Sequence, residues 1–185
     1  MYKFLSGAPY AIDILGGFPF YLALGVFIYV GAVGYVALRR HMDDLGEQNG
    51  KVRVYAPNAF YGVKLYKKIG DRLSALHYSR IVYDREEFND LLKEVHIKSA
   101  CKCIKEITVA VHGRYESDTQ KSSITFGSED LNEENIVHMF SEVKFCSSCK
   151  IEIRSCHIGK SASLRKSLSK YKCEVILYNE KVSAI

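Results

Sequence analysis

Ile107-Thr108-Val109-Ala110-Val111, running straight into His112-Gly113, is the stretch that decides the fold. Every residue before the histidine is apolar or β-branched, without the polar alternation of a half-exposed strand. That pattern predicts a strand buried on both faces, as in parallel sheets. On its carboxyl side, Ser123-Ile124-Thr125-Phe126 predicts a shorter extended piece. A helix then starts near Asn132 and carries Ile136, Val137, Phe140 and Val143 on one side. Ile151-Glu152-Ile153-Arg154 is the next strand, Leu164, Leu168 and Tyr171 form a helical stripe, and Glu174 to Tyr178 is the last strand.

Working toward the amino terminus, Val52-Arg53-Val54-Tyr55-Ala56 reads as a strand, which Pro57 closes while Asn58 offers an N-cap. Leu65, Ile69, Leu73 and Leu76 follow at helical spacing, and Arg80-Ile81-Val82-Tyr83 is another strand. Asp84 can cap a helix whose Phe88, Leu91, Leu92 and Val95 fall at i, i+3, i+4 and i+7. Strands alternating with helices predict an α/β domain over residues 51–185, a mostly parallel sheet flanked by helices.

Ahead of this body, residues 14–38 contain no formal charge. The run from Phe18 to Leu38 matches the ~20 apolar residues that span a bilayer. Pro19 suits the first turn of such a helix, and Tyr21 and Tyr35 lie where interfacial aromatics sit. Arg39-Arg40-His41 follows at once, whereas the front flank offers only Lys3 and Asp13, so the positive-inside rule points the body to the cytoplasm. A cleaved signal peptide fits less well, because the apolar run is long and arginines follow it. The other reading of the run is a buried helix of a larger assembly. These features divide the chain into an apolar segment with a single-pass membrane anchor at 1–41, a polar, turn-rich linker at 42–50, and the body.

The composition is otherwise that of an ordinary globular chain: 48% hydrophobic, 25% charged, net charge +5 with no basic block. Nucleic acid is therefore not expected as a partner. Six cysteines in 185 residues are too few for a disulfide-built mini-fold. Cys101-Lys102-Cys103 and Cys146-Ser147-Ser148-Cys149 each stand just before a central strand. Parallel strands would bring both pairs to the amino edge, where Cys101, Cys103, Cys146 and Cys149 could hold a structural zinc ion. The alternatives are unpaired thiols or a disulfide on the opposite side of the membrane. Cys173 is expected in the core. No other cofactor is called for, and the sequence leaves the oligomeric state open.

Sites in open α/β sheets form beyond the carboxyl ends of strands. The strand from Ile107 ends in His112-Gly113, and the strand from Ile151 runs through Ser155 into Cys156-His157-Ile158-Gly159. A thiol needs a basic or acidic partner to attack a carbonyl and expel its leaving group, and a histidine provides one. As neighbours, these strands would deliver His112 and Cys156 side by side. Gly113 would let the backbone approach the reacting carbonyl, with its N–H placed to stabilise an oxyanion. Three motifs around the same loop fail or fall short. A phosphatase loop needs residues that Ser155 and Ala162 replace. A nucleophile elbow needs small residues where Arg154 and Ile158 stand. Gly159-Lys160-Ser161 is only the tail of a phosphate loop, with Arg154 in place of its first glycine. His41, His77, His96 and His138 lack companions at ligand spacing, and His157 is expected to point away from the sulfur.

Two apolar blocks, one ending in His112-Gly113 and one in Cys156, with Ile124-Thr125-Phe126-Gly127, Leu131 and an amphipathic helix between them, resemble the caspase-like cysteine peptidases. That group includes caspases, gingipains, separase, clostripain and the self-cleaving domains of bacterial toxins. The resemblance covers about residues 104–178. It implies a caspase-like sheet with flavodoxin-like strand order, His112 as general acid, Cys156 as nucleophile, and the N–H groups of Gly113 and Cys156 holding the oxyanion. The partner implied is a protein or peptide substrate, with residues 14–38 in the membrane. Two other functions fit the same features: an inactive interaction module of this fold, or a toxin-like effector whose apolar front inserts into a target membrane.

Overall fold

A computed structural model describes residues 9–56, 80–127 and 129–180, with side chains from residue 21 onward. The chain divides into two units, residues 1–38 and 39–185. The expected helix carrying Leu65 to Leu76, its cap Asn58, and His77 lie outside the described residues.

Helix α1 runs Pro9–Gln48. It opens on one proline, and Pro19 stands in its interior rather than in its first turn as expected. From Tyr21 the helix is long and apolar enough to cross a membrane, with a mean hydropathy of 2.0 in its most apolar window, none of which is buried. The expected linker is also corrected, because the helix continues through Asp43, Asp44 and Glu47. The reason lies far along the chain. Arg80 grips the buried Glu47 carboxylate with Nε at 2.6 Å and an Nη atom at 2.8 Å, and Lys98 Nζ lies 3.5 Å away. A buried charge held by two cations fixes the helix where local polarity alone reads as a loop.

The body begins with β1 (Lys51–Tyr55), followed by β2 (Arg80–Ile81) and α2 (Arg85–Lys98). Asp84 caps α2 by accepting the Glu87 N–H at 2.9 Å, and Phe88, Leu91, Leu92 and Val95 form its buried face. Next come β3 (Ile104–Ala110), then β4 (His112–Glu116), β5 (Lys121–Phe126) and β6 (Glu129–Asn132). Helix α3 (Glu133–His138) leads to β7 (Phe145–Arg154), α4 (Ala162–Leu168) and β8 (Glu174–Leu177).

Two sheets result. One holds five strands in the order β2-β1-β3-β7-β8, all parallel. The other is an antiparallel meander, β4-β5-β6. Val52, Val54, Ile107, Val109, Ile151 and Ile153 share one face of the parallel sheet and form a single core with residues from α2, α3 and α4. Its opposite face carries a polar ladder. Lys51 pairs with Glu106 at 3.4 Å, Glu106 with Lys150 at 3.5 Å and Lys150 with Glu152 at 3.2 Å, and Tyr178 donates to Glu152 at 2.6 Å.

The four-thiolate zinc set does not assemble. Cys103 is disulfide-bonded to Cys146, and Cys149 to Cys173. Cys149 therefore leaves the cluster for the strand on its other side, and Cys173 is a cross-link packed at the margin of the core. Both bridges tie the amino half of β7 to its neighbours. One joins it to the residue before β3, the other to the residue before β8.

Candidate active site at the carboxyl edge of the sheet

Strands β3 and β7 are parallel neighbours, with Ala110 level with Arg154. Beyond that pair the Val111 N–H still donates to the Arg154 carbonyl at 3.1 Å. His112 and Cys156 each follow the matched pair by two residues. Adjacent strands lie ~4.8 Å apart, so both residues leave the sheet at one level of one rim. The strand order reverses between β1, whose chain successor lies to one side, and β3, whose successor lies to the other. This is the kind of switch point where open α/β sheets leave a crevice.

The two chains part in different ways beyond the rim. After Val111 the first turns into β4, so His112 opens the antiparallel sheet, level with Thr125. After Cys156 the second turns sharply at His157, whose φ of 60° is left-handed. A residue with a Cβ pays about 1–2 kcal/mol to sit there. The turn is pinned from behind: His157 N–H donates to Glu180 O at 3.2 Å, and His157 Nδ1 lies 3.0 Å from Asn179 O. His157 is thus engaged with the segment after β8. Cys156 stands outside both disulfides and is half-buried.

Gly113 is buried and packed against this turn. A Cβ at that position would fall 1.9 Å from Ser155 Oγ, 2.7 Å from Ile158 Cγ2 and 3.0 Å from the Cys156 carbonyl oxygen. The glycine after the histidine is therefore what allows the Cys156 turn to sit directly on β4, a steric duty beyond the approach to a substrate carbonyl expected from the sequence. Ser155 Oγ is buried there without a hydrogen-bond partner among the described residues. Gly127, with φ of 64°, does similar work at the end of β5, because a Cβ there would overlap the Tyr83 carbonyl.

The far end of the loop is held by Glu133. Its carboxylate accepts the Ser122 N–H at 2.7 Å, the Ser161 hydroxyl at 2.5 Å and the Ser163 hydroxyl at 2.5 Å. Burial alone would raise the Glu133 pKa, but the two serine hydroxyls, the Ser122 amide and nearby Lys121 outweigh it and hold the carboxyl below the usual range. Ser161 also caps α4 through the Leu164 N–H, and Ser122 Oγ donates to Ile158 O at 3.2 Å. A glutamate directly after β6 gives no sequence signal for this role, because its partners come from β5 and the start of α4, 11 to 30 residues away. The phosphate-loop tail is spent internally: Gly159 N–H goes to Tyr178 O, Lys160 N–H to His157 O and Ser161 N–H to Ile158 O. Lys160 leans toward the Tyr115 ring at 6.0 Å.

At the opposite rim, the sulfurs of Cys101, Cys103 and Cys146 lie within 4.8 Å of one another. Such a group could hold a metal ion, but with Cys103 and Cys146 bonded to each other only Cys101 offers a thiolate, which does not fit zinc in this state. A mainly apolar cavity of about 350 Å³, lined by Leu92, His96, Ile97, Ile104 and Val143 among others, lies beside α2 and the start of β3, away from His112 and Cys156.

No family model, no curated protein and no solved structure matches this chain.

Proposed function

We propose that the body is a caspase-like cysteine-peptidase domain on a single-pass membrane anchor, cleaving peptide bonds with Cys156 as nucleophile and His112 as its proton partner. One observation carries the reading: two adjacent parallel strands release these residues at the same register position, on the strand pair next to the switch point of the sheet. Two further features support it. With the β4–β6 meander set aside, the parallel strands follow the order 2-1-3-4-5, the flavodoxin-like order that the resemblance implies. The meander itself starts on the histidine.

In this reaction the Cys156 sulfur attacks the scissile carbonyl carbon, and its proton passes through the His112 imidazole to the departing amine. A thioester remains on Cys156, and water, deprotonated by the same imidazole, releases the acid. The Gly113 N–H is the proposed oxyanion donor.

A thiol-reactive peptide probe tests this on the full chain. Labelling is expected on Cys156, lost in Cys156→Ala and His112→Ala, and retained in Cys101→Ser, with circular dichroism confirming that each variant is folded. Labelling that ignores His112, or that follows Cys101, removes the peptidase reading and leaves an interaction module.

The side of the membrane has two readings. Arg39-Arg40 after the apolar run favours a cytoplasmic body. The two disulfides favour an oxidising compartment instead. A membrane-impermeant maleimide applied to intact cells separates them, because Cys101 is exposed and reacts only if the body lies outside.

A further inference from the structure

We propose that Cys101, Cys103 and Cys146 form a thiol–disulfide exchange centre, in which the Cys101 thiolate attacks Cys146 Sγ and displaces Cys103. The geometry is in place. Cys101 is exposed, stands outside both disulfides, and its sulfur lies 3.6 Å from that of Cys146, which is bonded to Cys103. The turn that brings Cys101 there is fixed. Lys102 adopts the left-handed region with φ of 51°, its ammonium donates to the Ile97 carbonyl, and the buried Ser99 hydroxyl bonds to Cys103 O at 3.1 Å.

The exchange balances without an outside oxidant. Cys101 loses its proton to solvent, the Cys101–Cys146 bond forms, the Cys103–Cys146 bond breaks, and its electron pair leaves on Cys103 as a thiolate that takes up a proton. Loop closure scarcely distinguishes the two isomers, since the separations are 43 residues for Cys103–Cys146 and 45 for Cys101–Cys146. The Ser99 hydroxyl, 3.0 Å from Cys101 Sγ, lowers the Cys101 pKa despite some desolvation, which favours its thiolate, the attacking form. Exposed Cys101 is also the point of entry for an external thiol: in the Cys101–Cys146 isomer that thiolate attacks Cys101 Sγ, the Cys101–Cys146 bond breaks, and its electron pair leaves on the half-buried Cys146, which takes up a proton, while a mixed disulfide remains on Cys101.

The test uses full-length protein in detergent, purified without reductant and alkylated slowly with dilute iodoacetamide, so that isomers interconvert before capture. Peptide mapping after acid quenching is expected to find adducts on both Cys101 and Cys103, each accompanied by the complementary disulfide to Cys146. Cys101→Ser should abolish the Cys103 adduct, and Cys103→Ser should form Cys101–Cys146 on addition of glutathione disulfide. The Cys149–Cys173 peptide is the internal reference. The proposal fails if the Cys103 adduct in the wild type stays at the Cys101→Ser level. It also fails if Cys101 and Cys146 remain alkylatable in oxidised Cys103→Ser, or if all three thiols purify reduced and shielded by zinc, which would make the cluster a metal site.

Discussion

The two rims of the parallel sheet are built from the same strands and held in opposite ways. At the amino rim, β7 is bonded covalently on both sides, through Cys103–Cys146 to the β3 side and Cys149–Cys173 to the β8 side. At the carboxyl rim, the Cys156 turn is held by packing on Gly113, by hydrogen bonds from His157 to the Asn179 and Glu180 carbonyls and from Ser122 to the Ile158 carbonyl, and by the Glu133 cluster. The difference teaches where each rim is vulnerable. Reductants act on the amino rim, whereas steric change and acid act on the carboxyl rim, where the candidate chemistry sits.

The largest effect expected is on the covalent rim. Replacing Cys103 and Cys146 together by Ser should cost about 4 kcal/mol, the chain-entropy value for a loop with a 43-residue separation. Replacing Cys149 and Cys173, 24 apart, should cost slightly less. Urea unfolding of each double variant measures both; a dithiothreitol effect that persists when all four cysteines are replaced by Ser would break the comparison.

Gly113→Ala comes next. Its Cβ must displace Ser155 Oγ and crowd the Cys156 carbonyl, an overpacking penalty of about 1–3 kcal/mol, and probe labelling of Cys156 should fall with it. Ser155→Ala sharpens the point, since it removes a buried hydroxyl that has no partner among the described residues. It should leave stability unchanged or improved, and should relieve part of the Gly113→Ala loss in the double variant.

The smallest effect is on pH dependence. The Glu133 carboxyl is held below its ordinary range, so the folded state binds its proton less readily than the unfolded chain. The stabilisation from Glu133 is thus complete above the ordinary glutamate value and drains away as the pH falls through the lower folded value. Chemical denaturation across the acid range should show a shallower loss in Ser161→Ala than in the wild type. An identical slope would remove Glu133 from the account.

Much of the body was legible because its signals are local. The β-branched run at Ile107 to Val111 marked the central strand, Asp84 and Asn132 marked two helix starts by their capping geometry, and Phe88 to Val95 marked a buried stripe. The first and third strands of the meander were not legible, because His112-Gly113-Arg114-Tyr115-Glu116 and Glu129-Asp130-Leu131-Asn132 are mostly polar and acquire strand form only by pairing with β5. Glu47 was read as linker because the Arg80 and Lys98 that bury it lie 33 and 51 residues away. The cysteine pairs were placed at the correct rim, but the sequence holds no sign that Cys149 turns to Cys173 rather than to Cys101 and Cys103. Of the candidate site, the strand-end positions of His112 and Cys156 could be anticipated. The left-handed His157, the Ser155 hydroxyl and the Glu133 clamp could not, since each depends on partners from elsewhere in the fold.

A single residue, Val111, separates the last residue of β3 from the first of β4, so one unbroken run of backbone serves both sheets. His112 is the first residue past that junction, and Gly113, the second, packs on the Cys156 turn, so the join of the two sheets and the seating of the candidate pair are set within three consecutive residues.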